Sequence, residues 1–250
     1  MENNNANYTK LVHSNPEHEN WFVVNWCLGN TCNYECSYCP SGLHDGSKKW
    51  PNAYVIKNFI QKVRDQHHNK KIYFEFTGGE VTLYKHFLEI CQFCNDLGIK
   101  IGLISNGSRT IRYWEENKHL FDHICVSFHP EHADEEHFIN VVKTLHNDVR
   151  THVNIMMKPE KFDYCYAVAN KVKNLGNISM ALQPLIVDFG NTLFEYTDMQ
   201  KRIFENQHEL ITKHIKFTKS FDYYRGAMRK IWPDGSDQVS SAHRFISQNI

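Results

Sequence analysis

Residues 21–39 read Trp-Phe-Val-Val-Asn-Trp-Cys-Leu-Gly-Asn-Thr-Cys-Asn-Tyr-Glu-Cys-Ser-Tyr-Cys, a β-branched and aromatic run that breaks into a loop of Gly, Asn and Cys. The first seven predict a strand. What comes next is a helix and not a hairpin. Pro51 opens it, and Val55, Ile56, Phe59, Ile60 and Val63 form one stripe up to about His67. The rhythm then repeats. Strands are predicted over residues 71–76, 99–104, 123–128, 152–157 and 178–183, and helices over 83–97, 111–119, 134–146, 162–175 and 199–217. Strand–helix alternation implies right-handed βαβ units on a parallel sheet. Six units suit an open doubly wound sheet or a partial barrel, and both put ligands at the carboxyl ends of the strands. The polar and glycine motifs fall at those ends: residues 27–40, 77–80, 105–107, 127–130 and 183–184.

Bulk properties narrow the class. With 250 residues the chain suits one barrel or α/β domain, or two small domains. Lys+Arg and Asp+Glu both number 28, so no basic excess points to duplex nucleic acid. No apolar run is long enough to predict a membrane span. Residues 1–7 are polar and Asn-rich, lack the pattern of a secretory signal and read as a frayed tail. The expected compartment is the cytosol. There, eight cysteines argue for metal or redox chemistry and against a disulfide framework.

Three of the eight, Cys32, Cys36 and Cys39, have the spacing C-x3-C-x2-C. Thiolates this close converge on one centre only in a loop, and soft thiolates select zinc, copper or iron–sulfur. A complete cluster normally takes four protein ligands, so three leave one iron open to a small molecule. A zinc knuckle or an electron-transfer cluster is the plainer reading; Cys27 would then be the fourth ligand, from a strand end. Cys91 and Cys94 on a helix, Cys125 in a strand and Cys165 on a helix read as packing.

C-x3-C-x2-C with Tyr38 before the last cysteine, directly after a first strand, resembles the signature of the radical SAM superfamily. The resemblance covers about residues 20–190. It implies an α/β fold, a partial (β/α)6 TIM-like barrel open on one side, with a [4Fe–4S] cluster on Cys32, Cys36 and Cys39. The open iron would be chelated by the amino and carboxylate groups of S-adenosylmethionine. A reduced cluster would then break its C–S bond to methionine and a 5′-deoxyadenosyl radical, which takes hydrogen from substrate. Thr77-Gly78-Gly79-Glu80, about 40 residues on, resembles the family's GGE motif, in which Gly78, Gly79 and Glu80 would hold the methionine amino group. By the same resemblance Asn106, in Ser105-Asn106-Gly107, Ser127, Gln183 and Tyr38 are cofactor-binding candidates.

The plain alternatives are a turn at 78–80 and 105–107, and core packing for Met156 and Met157 beside Asn154. His129 would touch cofactor or substrate, or be a satisfied strand-end histidine. With His132 and His137 it lies in an acidic stretch that reads as a metal site or a solvated helix start. The expected domain plan is a flexible tail at 1–19, a barrel at 20–217 and an extension at 218–250. No cysteine follows Cys165, so either no auxiliary cluster exists or the chain is a piece of a longer one. Expected partners are an external one-electron reductant, flavodoxin- or ferredoxin-like, and a peptide or small-metabolite substrate. Two other readings stay open: a tRNA- or nucleotide-modifying or protein-activating radical SAM enzyme, and a non-enzymatic iron–sulfur electron-transfer protein.

Overall fold

The computed structural model describes residues 10–13, 20–176, 178–189, 192–212, 228–231 and 237–240. The first described strand, β1 (Lys10–His13), belongs to a small sheet taken up below. The main sheet has six strands: β2 (Trp21–Cys27), β3 (Lys71–Thr77), β4 (Lys100–Ser105), β5 (His123–Phe128), β6 (Arg150–Met157) and β7 (Ser179–Pro184). They pair in chain order, all parallel, and no ladder joins β7 back to β2 among the described residues. The parallel sheet is the one expected from the alternation, and its open partial barrel the one the resemblance implied.

Each strand presents one face to the helices. Ile72, Phe74, Phe76, Ile101, Leu103, Val126, Phe128, Val153 and Ile155 are all buried there. They meet helices α1 (Ala53–Gln66), α2 (Phe87–Asp96), α3 (Ile111–Asn117), α4 (Glu135–Leu145) and α5 (Phe162–Lys173). Trp26 meets Phe59 edge-on at 4.7 Å, Phe76 meets Phe87 at 5.6 Å and Phe128 meets Phe138 at 5.1 Å. Alternation sends the residues between to the other face. That face is polar: Asn154 Nδ2 donates to Cys125 Sγ at 3.2 Å, and His152 bonds Asn154 Oδ1 at 3.0 Å and Ser179 Oγ at 2.8 Å. So Cys125, read as core, is buried but lies on this inner polar wall, whereas Cys91, Cys94 and Cys165 sit in the apolar core as expected.

Two helix starts differ by more than one residue from the sequence reading. Asn52, not Pro51, marks the entry to α1: its side chain accepts from Tyr54 N at 2.8 Å, and the helix begins at Ala53. The second helix begins at Phe87, four residues late. Residues 81–83 form a 3-10 turn because the Glu80 side chain accepts from Thr82 N, and Tyr84 is extended. Thr110 and Asp134 cap α3 and α4, accepting from the third helical N–H.

The last described helix, α6 (Asp198–Thr212), reaches the end of its described segment, so residues 213–217 of the expected helix lie outside the described residues. So do the expected turn at 232–235 and the short helix at 242–249. Within the expected tail and extension, β1 pairs antiparallel with β8 (Met228–Ile231), which pairs with β9 (Asp237–Ser240). No helix among the described residues is long and apolar enough to cross a membrane.

Candidate metal centre

The cysteine loop leaves the carboxyl end of β2, where Leu28 N still donates to Thr77 O at 3.1 Å. Its order comes from Asn30, which is 2% exposed. The Asn30 amide donates to Gly42 O, Asp45 Oδ1 and Ser47 Oγ at 2.8, 2.7 and 3.0 Å, and its Oδ1 accepts from Lys48 N at 2.8 Å. One side chain thus gathers both ends of the loop, before and after the cysteines.

The glycines of residues 77–80 press on the same loop. Gly79 N donates to Gly29 O at 3.0 Å and Glu80 N to Thr31 O at 2.8 Å. A Cβ on Gly78 would stand 2.2 Å from Gly29 O, and one on Gly79 2.3 Å from Thr31 O. Gly78 also has φ +146°, which only glycine adopts freely. The two glycines thus let β3 approach the cysteine loop's own backbone.

Glu80 is fully buried. Its carboxylate accepts from Thr82 N and Oγ1 at 3.2 and 2.6 Å, from Ser105 Oγ at 2.9 Å and from Asn106 N at 2.6 Å. Burial holds its carboxyl above the ordinary range against the pull of these donors. Asn106 carries the tie onward: its Nδ2 donates to Asn33 Oδ1 at 3.0 Å and approaches Cys32 Sγ at 3.8 Å. The ends of β3 and β4 are so joined to the loop through side chains that the resemblance assigns to cofactor.

The three thiols are free, with Cys36 buried and Cys32 and Cys39 partly so. Cys32 Sγ accepts from Tyr34 N at 3.4 Å, and Cys39 N closes a turn on Cys36 O at 2.9 Å. Burial raises all three, and Cys36 reaches about 12. Glu80 near Cys32 and Glu131 near Cys36 push the same way. Thiols held protonated by their surroundings are ionised by a coordinating cation's own charge. Soft donors fit a metal centre, and three of them fit an iron–sulfur cluster with an open iron. Cys27 stands apart: it is exposed and its thiol donates to Gly29 O at 3.6 Å.

Ser37, between the second and third cysteines, is clamped from across the sheet. Glu131 accepts from Ser37 N at 2.7 Å and Oγ at 2.5 Å, and its carboxylate pairs with Lys158, which also reaches Ser37 Oγ at 3.3 Å. Burial pushes the Glu131 carboxyl up, but the bonds from Lys158 and Ser37 outweigh it and bring it down to about 2.

The three histidines of the acidic stretch separate. His129 faces Cys36 and Tyr38. His132 stacks on Tyr34 at 5.3 Å, and His137 bonds Gly107 O and Arg109 O at the start of α4. Cys36, Glu131 and His132 have ligand atoms within 4.8 Å of one another, though Ser37 and Lys158 already occupy the Glu131 carboxylate. Ser127 is buried at the end of β5, and Gln183, at the end of β7 opposite Met156, is half-buried. Asn30, Glu131 and Lys158 escape sequence reading because each acts through a loop or strand end far along the chain. Asn30 alone carried a local hint, a polar residue two before the first cysteine.

The sequence matches the family model described as Radical SAM superfamily over residues 26–187. A curated relative, the S-adenosylmethionine-dependent nucleotide dehydratase of Fibrobacter sp. strain UWH6, is 24% identical over 110 residues, 42% of this chain and 33% of that protein. Among solved structures, native anSMEcpe with bound AdoMet is similar at 18% identity and TM-score 0.54, over 79% of this chain and 64% of that one. Streptococcus suis SuiB bound to S-adenosylmethionine is similar at 16% identity and TM-score 0.52, over 81% and 52%. The chain thus spans less than two thirds of the length of each of these three proteins.

Proposed function

The chain belongs to the radical SAM superfamily, whose cofactors are a [4Fe–4S] cluster and S-adenosylmethionine, and we propose that it is an enzyme that cleaves S-adenosylmethionine reductively to abstract hydrogen from a peptide or small metabolite. The observation that carries this is the loop of Cys32, Cys36 and Cys39 at the carboxyl end of β2, braced from β3, β4, β5 and β6. Cys32, Cys36 and Cys39 would hold the cluster. When bound, the cluster supplies the electron that splits the sulfonium into methionine and a 5′-deoxyadenosyl radical.

The chain's own residues hold and shield. Asn30 fixes the loop ends, Gly78 and Gly79 let β3 lie against it, and Glu131 with Lys158 fixes Ser37. On this reading Gly78, Gly79, Glu80, Asn106, Ser127, Gln183 and Tyr38 contact S-adenosylmethionine. Glu80 Oε2 accepts from Asn106 N alone among the described residues, so it keeps an acceptor site for the ammonium end. The inner wall of Cys125, Asn154, His152 and Ser179 is polar, its groups bonded to one another below the carboxyl ends of β5, β6 and β7. The unit that works would be residues 20–217, with an external one-electron reductant.

The test is anaerobic reconstitution, dithionite and S-adenosylmethionine, with 5′-deoxyadenosine read by mass spectrometry and Cys36→Ala as control. The expected result is 5′-deoxyadenosine that disappears in the variant. A full four-iron cluster that makes none, with or without a panel of peptides and nucleotides, would leave an electron carrier as the better reading.

A further inference from the structure

His129 Nδ1 lies 2.9 Å from Tyr38 Oη and 3.6 Å from Cys36 Sγ, so three polar atoms from two strand ends meet at one point. Tyr38 also pulls the Cys36 thiol down against the rise that burial imposes on it. The two rings lie parallel within 6°, their centroids 6.0 Å apart, while Tyr34 stands edge-on to His129 at 6.0 Å. Tyr38 and Cys36 are both buried. The imidazole is thereby held between two tyrosines.

We propose that Tyr38 and His129 act as a pair on the Cys36 sulfur, delivering a hydrogen bond to it when it ligates the cluster and so setting the cluster's midpoint potential. The inference rests on the reading of Cys36 as a cluster ligand. The proton count leads to it. A ligating thiolate has no proton to give and can only accept. With the proton on His129 Nε2, the Nδ1 lone pair competes with sulfur for the Tyr38 proton. With the proton on Nδ1, His129 donates to Tyr38 Oη, and the tyrosine proton is free for Cys36 Sγ. Only this second arrangement gives every acceptor at the junction a donor, so ligation selects it. Hydrogen bonds to cluster sulfurs stabilise the electron-rich reduced state and raise the potential. In this role Tyr38 and His129 are positioning residues, acting through the sulfur.

The experiment uses the full chain, reconstituted anaerobically, as wild type, Tyr38→Phe, His129→Leu and His129→Asn. Iron and sulfide are counted first, and the midpoint is then taken from a redox titration followed by electron paramagnetic resonance. Phenylalanine keeps the ring and drops the hydroxyl. Asparagine places an N–H near the position of Nδ1–H. The expected result is full clusters in all four. Tyr38→Phe and His129→Leu should be about tenfold harder to reduce at a fixed poise, about 59 mV more negative for one electron. His129→Asn should recover most of the difference. A Tyr38→Phe midpoint equal to wild type, with a full cluster, would overturn the proposal. If Tyr38→Phe does not fold, equal midpoints for His129→Leu and His129→Asn would overturn it just as well. Iron content indifferent to Cys36→Ala would instead remove the ligand assignment, and the proposal with it.

Discussion

Replacing Asn30 with alanine tests whether one buried amide organises the cysteine loop. Asn30 makes four contacts, but its amide has two protons for three acceptors, so the equivalent of two donated bonds and one accepted bond is lost. Asp45 is exposed, so no charge bonus is counted, and the three bonds are ordinary at about 0.5–1.5 kcal/mol each. Water reaching the opened loop returns part of this, so the net cost is roughly 1–3 kcal/mol. The cost falls on the loop and leaves the barrel core intact, so hydrogen exchange is the assay. Amides of Gly46 and Lys48, which bond Asn30 backbone and side chain, should exchange roughly 5- to 150-fold faster at about 1.4 kcal/mol per decade. Core amides such as Leu103 should not change. Asn30→Asp sharpens the test. It is nearly isosteric and keeps the acceptor for Lys48 N, yet it sets a second carboxylate against Asp45 at the 2.7 Å contact. It should be no better than alanine at neutral pH. Wild-type exchange in Asn30→Asp, or in Asn30→Ala, would refute the idea that this hydrogen-bond hub holds the loop.

Gly79→Ala should destabilise by at least about 2–3 kcal/mol in urea titration, because its Cβ meets backbone that cannot move aside. Gly98→Ala, with φ +67° and open space around it, should cost only about 1–2 kcal/mol of strain. A similar loss for both would mean that Thr31 gives way. Glu131 stabilises the fold above the ordinary glutamate value, about 4.3, and loses that contribution as pH falls through about 2. Glu131→Gln should therefore flatten the fall in stability across this window, read by thermal melting at stepped pH. An unchanged slope would mean the clamp contributes nothing. Glu80→Ala strands the Asn106 N–H and the Ser105 and Thr82 hydroxyls in a fully buried site. It should cost roughly 2–4 kcal/mol in the same urea assay, and a loss below 1 kcal/mol would show that water replaces the carboxylate.

The strand–helix rhythm was legible because each strand carries a dense apolar face toward the helices, and the register of β2 through β7 follows from it. The ends of elements were less so. The start of α2 moved to Phe87 because Glu80, a residue singled out for ligand chemistry, also caps the turn at 81–83. Of the site, the cysteines and Gly78-Gly79-Glu80 could be read since their spacing is local. The clamp of Glu131 and Lys158 on Ser37 could not, because it exists only once β5 and β6 stand beside β2 through the intervening strands. Cys125 is buried as read, but its face was not legible for a simpler reason: a cysteine in a buried strand has two faces to choose from, and only its partner Asn154 shows which.

That clamp has a consequence for biogenesis. Ser37 waits for Glu131, 94 residues later, and for Lys158, 121 residues later. At 5–20 residues per second, a ribosome needs roughly 6–24 s to make the second partner after the loop itself. During that interval the nascent chain carries three cysteines without the clamp from across the sheet. Until then the loop rests on the contacts of Asn30 with residues 42–48 and, once β3 and β4 are made, on those of Gly79, Glu80 and Asn106. The topology thereby completes the bracing of the loop last, after β6.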